Sequence, residues 1–167
     1  MGPCTHEREN MSELQETLAV ALAGRYLSNL ERIRELATPL SEQQFWTKPY
    51  PYGNSFGHLV LHLTGNLNYY IGAQIANTGY LRDRDREFTE SKPPSKEQAL
   101  QRLHDAVTMV SATIGKQSPD DWSADYQAVR TNCRNRFDMV EQCAAHMQHH
   151  IGQMIYLAFE WQRQAAK

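Results

Sequence analysis

The sequence predicts an all-α fold, a four-helix bundle with long connections. Three observations carry that expectation. Four stretches place apolar residues at the three- and four-residue spacings of a helix face. The segments between them are punctuated by proline, glycine and polar residues, and no stretch shows the alternation of a half-buried strand.

The first helix is expected from Ser12 to about Ala37. It has no proline and little β-branching, and Ser12 followed by Gln15 resembles a capping box. Leu14, Leu18, Ala21, Leu22, Tyr26, Leu30 and Ile33 build one stripe along it. Pro39 closes it, and Pro49 and Pro51 impose an extended or turning connection, because a residue before proline avoids the helical region. The second helix should begin near Asn54 or Ser55 and reach about Asn77. Leu59, Val60, Leu63, Leu67, Tyr70 and Ile71 lie on most of its sides, so neighbours should cover much of its circumference.

The third helix follows an expected Ser95 cap with Gln98 three residues on. Its stripe is Leu100, Leu103, Val107, Val110 and Ile114, and Gly115 and Pro119 stop it. The fourth should run from about Arg134 to Gln164, with Met139, Cys143, Met147, Ile151, Met154, Leu157 and Trp161 inward. Four helices of roughly 20 to 30 residues would be similar in length, about 30 to 45 Å each. The connection 79–94 can reach roughly 50 Å when extended, so it can cross the whole bundle and simple up-down-up-down order is not required.

A chain of 167 residues suits a single domain, 1–167. Apolar residues at 41% and charged residues at 22% are those of a globular protein rather than a disordered one. The net charge of −2 offers no electrostatic footprint for nucleic acid or an anionic membrane, so neither is expected as a partner. The arginines 82, 84 and 86 alternate with aspartates, which favours a solvated, salt-bridged loop over a clamp for a substrate carboxylate. Cys4, Cys133 and Cys143 are an odd set without framework spacing, expected as free thiols in a reducing, cytoplasmic compartment. Neither a signal peptide nor a membrane span is expected.

The chemistry of the chain points to its histidines. His146 and His150 are four residues apart, about 40° around a helix axis and one turn along it, so their rings can converge on one ion. His149 lies about 60° to the other side of His146 and cannot easily join them. Two histidines make half of a tetrahedral site, so further ligands must come from another helix or from solvent. The second helix offers His58 and His62, again four apart, and either or both can point inward. No Glu-x-x-His occurs, as a di-iron carboxylate bundle would need, and Met147 stands where a zinc protease helix would have glutamate.

In these motifs the sequence resembles the DinB superfamily of metal-binding four-helix bundles. The fourth helix matches a His-x-x-x-His-x-Gly-Gln pattern through His146, His150, Gly152 and Gln153. The second matches a Ser followed seven residues later by His-Leu, through Ser55, His62 and Leu63. Asn54, Thr64 to Asn66 and the run Arg84 to Phe88 are similar to a little-characterised branch of that superfamily. The resemblance covers nearly all of the chain in helix order and implies a metal triad of His62, His146 and His150. His58 is thereby demoted to a surface or supporting role.

The resemblance further implies a divalent metal, zinc or nickel, and S-transfer with a low-molecular-weight thiol. Three neutral imidazoles leave the charge of a divalent ion undiminished and positions open, so either a thiol or a water could be activated there. Small-molecule partners, a thiol and an electrophile, are expected at an apolar mouth; a metal-dependent hydrolase or a non-catalytic metal- or ligand-binding bundle are the alternatives. Asn66 and Gln153 are expected to hydrogen-bond within the helical interface, and Cys143 to pack as a small hydrophobe. Relatives often pair, so a homodimer is expected, with Phe45, Trp46, Trp122 and Trp161 as candidate exposed aromatics.

Overall fold

The computed structural model describes residues 5–128 and 132–166, with side chains from Glu13 onward. Cys4 and the side chain of Ser12 lie outside the described residues. The elements in order are α1 (Thr5–Ala37), α2 (Glu42–Trp46), α3 (Phe56–Leu67), a π-helical turn (Asn68–Ala73), α4 (Arg86–Thr89), α5 (Lys96–Ile114), α6 (Pro119–Ser123) and α7 (Arg136–Ala165). The described residues form no strand, only an isolated antiparallel bridge between Asp125 and Asn135. The all-α expectation holds, and α1, α3, α5 and α7 are the four bundle helices.

Local chemistry sets most of the boundaries. Ser55 caps α3 by accepting from the His58 amide, and Asn135 caps α7 by accepting from Asp138. Ser95 and Gln98 form the expected capping box at α5. The first helix departs from expectation: it begins at Thr5, so Ser12 lies inside it rather than at its cap. No proline or glycine between Thr5 and Ser12 gives the helix a reason to start later. Leu14 and Leu18 are exposed, because Gln15 already meets the Gln117 carbonyl beyond the end of α5 and the stripe outruns its partners.

The helices are also unequal, with 33 residues in α1 and 30 in α7 against 19 in α5 and 12 in α3. The π turn extends α3 by one wide turn, after which Asn77 and Gly79 adopt left-handed backbone and redirect the chain. Each long connection carries a short helix that periodicity did not reveal.

Long-range hydrogen bonds define the topology. The Lys96 ammonium at the start of α5 donates to the Ala37 and Leu40 carbonyls beside the end of α1, so α5 descends where α1 rose. Tyr26 donates to the Val140 carbonyl at 2.6 Å, and Asn29 reaches Ala144 and Gln148, so α7 runs parallel to α1. Tyr126, held beside the start of α7 by its amide bond to the Arg134 carbonyl, donates to the Tyr70 carbonyl in the π turn that follows α3, so α3 and α7 are antiparallel. The order is up, down, down, up. The connection from α3 to α5 must therefore return along the bundle, and it brings α4 against α3. Phe45 and Trp122 are buried, and Trp46 and Trp161 pack partly against the core, so none of the four stands as an exposed edge. Their ring area serves the bundle itself.

Candidate metal centre

His62 sits in the middle of α3, and His146 and His150 one turn apart on α7. The antiparallel crossing brings the three rings together. His146 Nε2 lies 3.0 Å from His62 Nε2 and 3.2 Å from His150 Nε2. All three ligand atoms fall within 4.8 Å of one another. Around a tetrahedral zinc with Zn–N near 2.05 Å, neighbouring nitrogens would stand about 3.3 Å apart, close to both contacts.

The outer nitrogens fix what the inner ones present. His62 Nδ1 is 2.8 Å from Glu87 Oε2, and a carboxylate only accepts, so Nδ1 carries the proton and Nε2 a lone pair. His150 Nδ1 is 2.8 Å from Gln153 Oε1, which makes the same assignment there. Two lone pairs are thus aimed at His146 Nε2, whose single proton could serve both only as a shared bond. A divalent ion satisfies all three nitrogens at once, so the donor set fits one. Burial, reinforced by the neighbouring histidines, pushes the His146 pKa down to about 4. Burial also takes His150 to about 4, although its bond to Gln153 works the other way. Neutral imidazoles are the ligating form.

Glu87 is the residue that sequence reasoning missed. It is 6% exposed and belongs to α4, within a stretch expected to be only a polar connection. Arg82 grips it through two bonds, Nε to Oε1 at 2.7 Å and Nη2 to Oε2 at 2.9 Å. Burial alone would raise the Glu87 carboxyl, but hydrogen bonds from His62 and Arg82 outweigh it and hold the group below the usual carboxylate range. The guanidinium also lies 5.5 Å from the Tyr70 ring centre and 5.9 Å from that of Tyr69, both on the π turn.

This corrects the solvated-loop expectation for Arg82, whose side chain is only 8% exposed. The reason is that its partner is Glu87 rather than the adjacent aspartates. Arg84 and Arg86 are exposed as expected, over the Phe88 ring and paired with Glu90 respectively. The signals in the sequence were the family-like run Arg84 to Phe88 and, within it, an acid beside an aromatic, Glu87-Phe88; Phe88 packs on the His62 ring at 4.7 Å.

The remaining candidates separate cleanly. His58 turns away, bonding Ser55 Oγ at 2.6 Å and meeting the Trp46 ring edge-on. His149 is exposed and contacts Gln153 Nε2. Gln153, expected to hydrogen-bond within the helical interface, orients the candidate ligand His150 on its own helix. Asn66 Oδ1, expected to bond within that interface, is buried without a hydrogen-bond partner. Cys143 is buried with its thiol pushed far up by burial, and it packs 3.5 Å from the Met139 sulfur, as a small hydrophobe would.

A pocket of about 440 Å³ adjoins the cluster through His146, lined also by Asn66, Tyr70, Asp138, Gln142 and Cys143. Its wall is mostly polar, in place of the apolar mouth expected. The residues lining it come from α3, the π turn, the segment just before α7 and the first half of α7.

No helix among the described residues is long and apolar enough to cross a membrane. A family model for the DinB superfamily matches residues 25–154. No curated protein matches the chain.

Proposed function

The chain belongs to the DinB superfamily, and on that premise we propose that it is a metal-dependent S-transferase using a low-molecular-weight thiol. His62, His146 and His150 are the ligands of a divalent ion, zinc or nickel, and the electrophile is a second small molecule. The observation that carries the reading is the convergence of three imidazole Nε2 atoms, two with their tautomers set by Glu87 and Gln153.

A divalent ion bound there would supply a Lewis acid that acidifies a thiol or a water near neutral pH. The chain does the rest. Glu87 and Arg82 hold the His62 ring, and Gln153 holds that of His150. Tight ring orientation of this kind raises ligand basicity and fixes geometry. Phe88 covers the His62 ring, while the pocket beside His146 leaves one approach for a small molecule.

Metal-dependent hydrolysis is the second reading, favoured by the polar wall, since a water fits the same approach. The whole chain, 1–167, acts in this reading as one domain in a reducing compartment, paired with a second copy. The large apolar side chains Leu27, Tyr156 and Phe159 on α1 and α7 are exposed and available for that pairing.

The test is a zinc and nickel titration of untagged protein, with His62→Ala, His146→Ala and His150→Ala compared. Each should lose most of the affinity. Unchanged binding in all three, or less than about 0.1 equivalent retained by the wild type after reconstitution, rejects the reading. Exogenous thiol that fails to alter the spectrum of the cobalt-loaded protein favours hydrolysis or a purely structural ion.

A further inference from the structure

Asn66 lies one helical turn beyond His62 on α3, at the spacing that places two side chains on one face. It is 7% exposed, forms part of the pocket wall beside His146, and its Oδ1 has no hydrogen-bond partner. A buried acceptor without a donor costs free energy, and native chains keep few of them. The terminal torsion of an asparagine is broad and roughly two-fold, so rotation about it would turn the oxygen toward the pocket that the residue lines.

The charge of the pocket narrows what can supply the missing donor. The one carboxylate among the described residues of its wall, Asp138, is engaged by the Arg134 amide and guanidinium, both at 3.1 Å. No lysine or arginine is among the described residues of the wall, so apart from an ion held by the histidines none of them offers a counter-charge to a further anionic group. An uncharged group with an N–H fits better.

We propose that Asn66 is a ligand-binding residue of this site: its carbonyl oxygen accepts a hydrogen bond from the amide N–H of a small, uncharged thiol seated in the pocket beside His146. The proposal deepens the thiol-transfer reading and rests on it. It identifies the thiol as one carrying an amide close to its sulfur, because Asn66 follows the ligand His62 by a single turn, about 6 Å along the axis.

Two probes differing only in the relevant atom test this. N-(2-mercaptoethyl)acetamide carries the N–H, and 2-mercaptoethyl acetate has an ester oxygen in its place. Their binding to cobalt-loaded protein is read from the sulfur-to-cobalt absorption band. The wild type should bind the amide roughly tenfold more tightly, as expected when a buried acceptor is left unpaired by the ester. In Asn66→Leu the two affinities should fall within about twofold of each other, with metal content unchanged. That variant should melt no lower than wild type, since it removes an unsatisfied polar atom. Equal binding by the wild type, preference for the ester, or a preference that survives in Asn66→Leu overturns the proposal while leaving thiol binding intact. Absence of any band with either probe instead rejects the thiol reading, and the proposal with it.

Discussion

Glu87 Oε2 accepts a hydrogen bond from His62 Nδ1 at 2.8 Å, across 25 residues of sequence, while Arg82 neutralises the same carboxylate. The pair is buried, so its geometry is not diluted by solvent. Glu87→Gln keeps the shape but removes the charge that favours the Nδ1–H tautomer of His62. Zinc affinity, measured by competition with a chromophoric chelator, should fall about 10- to 100-fold. The metal-free variant should also lose stability, by up to about 3–5 kcal/mol in a denaturant titration, because Arg82 is left as an uncompensated buried charge. Unchanged affinity would show that His62 needs no carboxylate to hold it.

Gly65 is buried under Glu87, and a methyl group at its Cα would overlap the carboxylate. Gly65→Ala should therefore push α4 away from α3. The expected cost is about 1–3 kcal/mol of stability together with weaker metal binding. If metal binding is retained at wild-type strength, α4 has room to move without disturbing His62.

Gln153 offers the opposite separation of effects. It is exposed, so Gln153→Leu should change the melting temperature little, yet it removes the acceptor that sets the His150 tautomer. Metal affinity should drop several-fold with stability preserved. A spectrum of the imidazole protons that is identical in variant and wild type would refute the assignment.

The metal-free protein should lose stability in mild acid. His146 and His150 have folded pKa values of about 4, below the usual histidine value near 6.5. The unfolded chain therefore binds more protons than the folded one between those limits, and stability rises with pH across that window. The contribution is present in full above about pH 6.5 and disappears as pH falls toward 4. Thermal melts of chelator-treated protein from pH 7 to 4 should show the decline, and His146→Ala should flatten it.

Much of this protein is readable from local chemistry. Ser55, Ser95 and the apolar stripes of α3, α5 and α7 mark helices because capping and burial act within a few residues of chain. His146 and His150 converge for the same reason, since 100° per residue places positions four apart on one face. The overreach at Leu14 and Leu18 has the matching cause. A stripe records which face could be buried, but not how far the partner helices extend.

What lies beyond that range depends on the crossing of α3 with α7 and on the return of the chain between α3 and α5. The first chooses His62 over His58, because only one of two residues on neighbouring turns meets the facing pair. The second turns a polar stretch into the wall of the site, carrying Arg82 and Glu87 into contact with His62. No periodicity marks such residues, since a loop repeats nothing and its charges look solvated until a partner far along the chain is brought beside them. Asn66 belongs with them: its place on α3 follows from helical spacing, whereas the unpaired oxygen beside the pocket exists only in the packed bundle.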